Sequence, residues 1–160
     1  MTIITILIIL DFQVILIGKD DLKAKTIIDV ATLTGAMVVA LGSSFTGTFC
    51  SSPSLLQELQ AAGLKAGDRA WPMPLSPEYS EGLKSPIADL KNSGGRSGGA
   101  CSAAYFLSQF VDGKDSIDWA HLDIAGVMDV ASPKGYFQYK GMTGRPTRML
   151  LEYLSQKEIN

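Results

Sequence analysis

The sequence predicts an α/β fold, with a mixed, mainly parallel sheet flanked by helices. Short apolar runs rich in β-branched residues alternate along the chain with segments of helical periodicity, and this alternation is typical of parallel sheets. The length of 160 residues suits one ordinary domain. Neither an internal repeat nor a low-complexity linker interrupts the pattern.

The first eighteen residues differ in character from the rest. Residues 2–10 consist of Ile, Leu and Thr, and Asp11 then interrupts the run. The run is shorter than the roughly 20 apolar residues that a membrane-spanning helix needs, and it lacks the basic start of a secretory leader. Crowded isoleucine favours extended structure. We therefore expect a buried strand or a pair of strands, the alternatives being a weak membrane anchor or a stretch foreign to the domain.

Three further strands are predicted. Residues 26–31 form an apolar run typical of a buried strand, and a turn follows at 32–35. Residues 36–41 fit either a short helix or a continuing strand. Residues 45–50 and 119–124 are the other predicted strands.

Residues typical of helix ends indicate where the helices begin and stop. Ser52 is a candidate N-cap, Pro53 suits a first helical turn, and Gly63 suits the residue after the helix. Two prolines make residues 71–75 an extended or edge segment, and residues 77–84 fit a short helix.

The second half of the chain continues the alternation. A glycine-rich loop at 91–99 leads into a helix at 100–111, whose small residues predict close packing. Residues 132–144 form a loop, and a terminal helix covers 145–153 with a proline near its start.

Composition narrows the classes of function. The net charge of −2 provides no basic surplus for non-specific nucleic-acid binding. One histidine, His121, and two cysteines, Cys50 and Cys101, exclude a disulfide framework and a zinc site rich in His or Cys. Unpaired thiols favour a reducing, cytoplasmic compartment.

Two turns are candidate binding sites, because ligands of parallel sheets lie outside the carboxyl ends of the strands. They are residues 32–35 and residues 125–128. The first combines two hydroxyls with a glycine that admits close approach, although an ordinary turn has the same composition. The loop at 93–99 could place backbone N–H groups at a helix start, but it matches no known phosphate-binding spacing and is also typical of a connector.

Two catalytic arrangements are conceivable from residue types alone. Cys101, His121 and Asp123 could supply a nucleophile, a base and its orienting acid, although a core cysteine and a hydrogen-bonded core histidine account for the same residues. Asp29, Asp89 and Asp123 lie in or near predicted strands, but their spacing matches no metal-ligand pattern.

Five strings together are more specific than any single motif. They stand at residues 27–42 (IIDVATLTGAMVVALG), 67–75 (GDRAWPMPL), 99–107 (GACSAAYFL), 119–128 (WAHLDIAGVM) and 141–145 (GMTGR). In this order and at these distances they closely resemble the leucyl aminopeptidases, also called cytosol aminopeptidases. The resemblance covers about residues 24–155.

The resemblance implies that residues 23–160 are the C-terminal part of a metallo-aminopeptidase catalytic domain, preceded by a divergent apolar segment at 1–22. Enzymes of this family release N-terminal residues from peptides, leucine preferentially. They use two divalent metals, commonly zinc, manganese or magnesium, and assemble as cytoplasmic hexamers. The implied partners are therefore a peptide substrate and further copies of the chain, with neither nucleic acid nor membrane.

Substrate-binding roles carry over to matching positions only. The resemblance places Thr32, Leu33 and Gly35 in the segment beside the metals. Leu33 would offer backbone contacts to the substrate and the reacting water, and Thr32 and Gly35 would line the pocket for the first side chain. Ala125 and Met128 would form the apolar floor of that pocket. Ser93 lies near the position that faces the leaving residue.

The family's metal-ligand element is missing from this sequence. The family carries an Asn-Thr-Asp-Ala-Glu-Gly-Arg string shortly before the strand at residues 26–31, and here the apolar residues 1–18 stand in its place. We therefore expect no catalytic residue and no metal ligand in this chain, and no activity from the chain alone. One alternative is a non-catalytic protein that associates with aminopeptidase hexamers, and another is a thiol hydrolase using Cys101 and His121.

Overall fold

The computed structural model describes residues 4–7, 15–111, 117–133, 135 and 139–158. Its centre is one five-stranded sheet. The strands are β1 (Ile4–Leu7), β2 (Thr26–Ala31), β3 (Thr46–Cys50), β4 (Ala70–Pro72) and β5 (Asp118–Asp123). They lie side by side in the order β1-β2-β5-β3-β4.

The strand directions confirm the predicted fold class. Strands β1, β2 and β5 are mutually parallel, β3 runs antiparallel to β5, and β4 is parallel to β3. The sheet is therefore mixed and mainly parallel. All six residues of β2 are buried, which explains why this strand is an uninterrupted apolar run apart from Thr26 and Asp29.

Helices flank the sheet. They are α1 (Gly35–Leu41), α2 (Pro53–Lys65), α3 (Gly99–Ser108) and α4 (Thr147–Glu158), with a 3₁₀ helix at Pro77–Leu83 and a π-helical segment at Ile17–Asp21. A small hairpin of β6 (Asp129–Val130) and β7 (Gly141–Met142) stands apart from the main sheet. Strand β7 corrects the prediction of an irregular loop throughout residues 132–144.

The N-terminal segment is a strand only in part. Residues 4–7 form β1, which pairs with β2 from Ile4 opposite Thr26 onwards. Residues 15–21 are helical, so a second strand there is wrong; Ile15 instead packs into a cluster with Ile27 and Trp119. Residues 8–14 lie outside the described part. No helix in the described ranges is both long and apolar enough to cross a bilayer.

Helix α1 resolves the ambiguity at residues 36–41 in favour of a helix. The Thr34 hydroxyl accepts a hydrogen bond from the backbone N–H of Met37 at 3.1 Å, which caps the first turn. The predicted cap of α2 is confirmed, because the Ser52 hydroxyl accepts from the backbone N–H of Leu55.

The predicted end of α2 at Gly63 is wrong, since the helix continues to Lys65. Gly63 is needed for close packing instead. A Cβ there would lie 2.7 Å from the Asp68 carbonyl oxygen and 3.0 Å from the Met149 sulfur. The terminal helix begins at Thr147 and extends to Glu158, past the predicted end.

The two faces of the sheet differ in composition. The face under α2 and α4, here called the apolar face, carries Ile28, Val30, Ala120 and Leu122. The opposite face, here called the polar face, carries the charged or titratable residues of β2 and β5, which are Asp29, His121 and Asp123. Helices α1 and α3 pack on the polar face through contacts of Met37, Ala100, Cys101 and Ala104 with Phe49.

Candidate functional site

The two predicted binding turns meet at one edge of the sheet. Strands β2 and β5 are parallel neighbours, and Ala31 at the end of β2 lies opposite Asp123 at the end of β5. Residues 32–35 and residues 125–128 follow these strands directly. They consequently leave the sheet side by side, where α/β proteins place their ligands.

The Asp123 carboxylate joins the two turns. Its Oδ1 accepts hydrogen bonds from the backbone N–H groups of Leu33 at 3.2 Å and Ala125 at 3.1 Å. Its Oδ2 accepts from the Thr34 hydroxyl at 2.8 Å. The side chain is 1% exposed, so these donors replace the water that a buried carboxylate loses.

The segment 125–128 is held by a second set of contacts. The Thr143 hydroxyl donates to the Val127 carbonyl at 2.6 Å, and its backbone N–H donates to the Met128 carbonyl at 2.9 Å. A Cβ on Gly126 would lie 2.1 Å from the Gly42 carbonyl oxygen. Only glycine fits at this position, which sets how closely the segment approaches the end of α1.

A cavity of about 770 Å³ opens beside the first turn. Leu33, Gly35 and Ser93 line it, whereas Thr32, Ala125 and Met128 do not. Its lining is contributed by α1, by the glycine-rich loop and by the start of α3, and consists of Leu33, Thr34, Gly35, Ala36, Val39, Ala40, Met73, Leu83, Asn92, Ser93, Gly94, Gly95, Arg96, Gly98, Gly99, Ala100, Cys101 and Ala103. Aliphatic side chains with a few polar groups suit an apolar group attached to a polar backbone.

The alternative of a thiol nucleophile built from Cys101, His121 and Asp123 does not match the structure, in which Cys101 and His121 are buried in the core. Cys101 is buried, and its hydrogen bond with Tyr79 raises the pKa of the Tyr79 phenol. Asp123 is occupied by the two turns and does not orient His121.

His121 pairs with the neighbouring strand instead. Its Nδ1 lies 2.5 Å from Asp29 Oδ1, and the Trp119 indole N–H donates to Asp29 Oδ2 at 2.7 Å. The Phe49 ring stacks on the imidazole at a centroid distance of 5.9 Å. His121 Nε2 is buried and has no hydrogen-bond partner among the described residues. These residues lie on the polar face of the sheet, and none of them lines the cavity.

The carboxylates do not form a metal site. Both oxygens of Asp29 and both oxygens of Asp123 already accept hydrogen bonds, and Asp89 is exposed in a loop. Among the described residues, no three His, Cys, Asp or Glu side chains converge as ligands. The side chains in the described part of the chain therefore do not fit a pair of divalent metals.

Sequence reasoning missed the roles of Asp123 and Thr143. The signal for Asp123 was available, because strand alternation puts it on the same buried face as Trp119 and His121. An acid that ends a buried strand needs donors, and the nearest are the backbone N–H groups of the adjoining turns. No comparable signal marks Thr143, whose contacts depend on the path of the chain after β6.

The sequence matches a family model described as the cytosol aminopeptidase family, catalytic domain, over residues 7–151. A cytosol aminopeptidase of Dictyostelium discoideum is 50% identical over 137 residues, which are 85% of this chain and 26% of that protein. A probable cytosol aminopeptidase of Dechloromonas aromatica is 54% identical over 135 residues, 84% of this chain and 26% of the relative.

Solved structures show the same relationship. A tomato leucine aminopeptidase variant aligns with a TM-score of 0.76 and 38% identity, over 88% of this chain and 26% of that one. The bottromycin maturation enzyme BotP aligns with a TM-score of 0.83 and 33% identity, over 91% and 32% of the two chains. A second BotP structure, in complex with Mn, gives a TM-score of 0.78 at 35% identity, over 84% of this chain and 29% of that one. The chain thus spans about a quarter of the length of the curated relatives it matches.

Proposed function

Because the chain belongs to the cytosol aminopeptidase family, we propose that it carries the part of an aminopeptidase site that receives the N-terminal side chain of a peptide. The observation that carries this proposal is the pair of turns bridged by Asp123 at one sheet edge. The reaction served is the release of N-terminal residues, with leucine preferred. Thr32, Leu33, Gly35, Ala125 and Met128 are the proposed substrate-binding residues.

A preference for leucine agrees with the character of the cavity. Its aliphatic lining would remove a leucine side chain from water, which is worth roughly 1.5–3 kcal/mol relative to leaving it exposed. The exposed backbone groups of the first turn would face the polar backbone of the peptide. Glycine at position 35 leaves open space, since a Cβ there would meet nothing within 4 Å.

Catalysis requires metals that the described residues do not hold. The relatives include an enzyme solved with Mn, and we propose two divalent metals, zinc, manganese or magnesium, for the complete site. The sequence contains no Asn-Thr-Asp-Ala-Glu-Gly-Arg string, so we expect the 160-residue chain alone to be inactive. We propose no catalytic residue within it.

The similarity to these relatives also supports proposals for the cellular location and the oligomeric assembly. The relatives are named cytosol aminopeptidases, and both cysteines are free thiols, which suits a cytoplasmic protein. We propose hexameric assembly for the complete enzyme. Association of this chain with such hexamers, without catalysis of its own, is the alternative function.

Binding of L-leucinamide to the full chain tests the proposal. We expect chemical-shift changes at Leu33 and Gly35 in NMR titrations, and affinity about 10- to 100-fold higher than for glycinamide because of the buried side chain. Gly35→Phe should fill the open space and abolish binding. Ala61→Phe, on an exposed position of α2, is the matched control and should bind normally. Equal affinity for both amides, or no binding, would contradict the proposal.

Hydrolysis of leucine p-nitroanilide tests the expected inactivity separately. The chain is assayed with added manganese or zinc, with and without a chelator. We expect no metal-dependent turnover. Turnover that the chelator abolishes would show that the chain assembles its own metal site.

A further inference from the structure

Asp123 occupies a singular position in the sheet. It ends β5, lies opposite Ala31 of β2 on one side and Gly47 of β3 on the other, and is 1% exposed. A buried carboxylate at this place is costly unless every lone pair finds a donor. All the donors that the structure provides come from the two turns at the sheet edge.

The three donors divide between the two carboxylate oxygens. Oδ1 accepts two backbone N–H groups, one from Leu33 in the first turn and one from Ala125 in the second. Oδ2 accepts the Thr34 hydroxyl. One oxygen atom therefore fixes the distance between the two turns, because both N–H groups must reach the same acceptor.

Thr34 extends this control to the helix that lines the cavity. Its hydroxyl donates its single proton to Asp123 and accepts the backbone N–H of Met37 in the first turn of α1. The carboxylate thereby sets where α1 begins, and Gly35, Ala36 and Val39 of α1 line the cavity.

We infer that Asp123 is a positioning residue that sets the width of the proposed side-chain pocket and hence its preference for leucine. This inference rests on the proposed function. Asp123 touches neither substrate nor metal in this role. It acts by holding Leu33 and Ala125 on one acceptor and by holding the start of α1 through Thr34, so that both of its oxygens accept hydrogen bonds from these groups.

The experiment compares selectivity, which a merely structural role would not change. The ratio of affinities for L-leucinamide and glycinamide is measured by NMR titration of the full chain, for wild type and for Asp123→Asn. The amide has one acceptor oxygen, so it either bridges the Leu33 and Ala125 N–H groups with its NH2 group facing the Thr34 hydroxyl, or accepts from Thr34 and loses the bridge. In both cases one of the contacts that hold the cavity wall is lost. We expect the ratio to fall by about tenfold, which corresponds to losing one charge-assisted hydrogen bond.

Three further variants accompany Asp123→Asn. Asp29→Asn alters the other buried carboxylate of the polar face, which contacts neither turn, and should leave the ratio unchanged. Thr34→Val removes the hydroxyl and should lower the ratio, whereas Thr34→Ser retains the hydroxyl and should restore it. An unchanged ratio in Asp123→Asn, alongside normal wild-type binding, would overturn the inference but leave the proposed function intact.

Wild-type protein that binds neither L-leucinamide nor glycinamide would refute the proposed function. Hydrogen exchange of backbone N–H groups still tests the positioning role of Asp123 in that case. Asp123→Ala removes the shared acceptor and should accelerate exchange of the Leu33 and Ala125 backbone N–H groups together, by about tenfold. Asp29→Asn should not. Unchanged exchange at both N–H groups in Asp123→Ala would overturn the positioning role directly.

Discussion

The apolar and polar faces of the sheet are formed by the same strands, but different interactions stabilise them. Ile28 and Leu122 point toward α2 and α4, into a cluster without charged groups. Their strand neighbours Asp29, His121 and Asp123 point the other way and are equally buried. Burial of apolar side chains is non-directional, whereas each hydrogen bond on the polar face fixes one particular pair of atoms.

The apolar face therefore contributes mainly to the stability of the fold, whereas the polar face fixes the geometry of the candidate site. Many arrangements of aliphatic side chains would fill the apolar face at similar volume. The polar face tolerates one arrangement, because removing any partner leaves a buried group unsatisfied. Substitutions on the two faces should therefore differ in which property they change.

The largest expected effect comes from Asp29→Ala on the polar face. This change leaves the His121 Nδ1 and the Trp119 indole N–H without their shared acceptor. We expect the free energy of unfolding in urea to fall by about 3–5 kcal/mol. Asp29→Asn keeps one acceptor and should lose less. Equal losses for the two variants would contradict the importance of hydrogen bonding on this face.

On the apolar face, Leu122→Ala should lower the free energy of unfolding by a slightly smaller amount. Leu122 is fully buried, and its truncation leaves a cavity under α2 and α4 at a cost of about 2–5 kcal/mol. Leu151→Ala, at an exposed position of α4, is the matched control and should change stability by less than about 0.5 kcal/mol. Binding of L-leucinamide by the folded fraction should be normal in both. Altered selectivity in Leu122→Ala would show that the two faces are not independent.

The smallest effect concerns pH. Burial is the main cause that raises the pKa of Tyr153 to about 12, above the ordinary value near 10. The folded state then holds a proton that the unfolded state releases, so the stabilisation is complete below pH 10 and declines as pH rises towards 12. Urea unfolding at pH 9, 10 and 11 should show a smaller decline in Tyr153→Phe than in wild type. Parallel declines would indicate that Tyr153 does not contribute.

The sequence predicted the elements whose signals are local. Strand β2 has the predicted bounds, because an apolar β-branched run is what a strand buried on both faces requires. The start of α2 was also predictable, since Ser52 and Pro53 provide capping and first-turn chemistry that depends on no distant residue.

The sequence did not predict contacts that depend on strand order. His121 pairs with Asp29 and not with Asp123, because β2 lies beside β5 and the register sets Asp29 opposite His121. The conformational freedom of Gly63 suits a helix end, but the helix continues to Lys65, and Gly63 instead leaves room for Met149 of α4. The binding turns were identified by position alone, and the carboxylate that joins them was not.

The Asp123 bridge has a further consequence for when the site can form. Leu33 and Asp123 are 90 residues apart in sequence, so the bridge closes a long loop whose entropy must be overcome before the hydrogen bonds can compensate. At a synthesis rate of about 5–20 residues per second, Asp123 is made roughly 5–18 seconds after Leu33. Local helices can form in that interval, but a binding pocket cannot. Ligand binding therefore reports that β2 and β5 have paired, and it would be a stricter measure of correct folding than helix content.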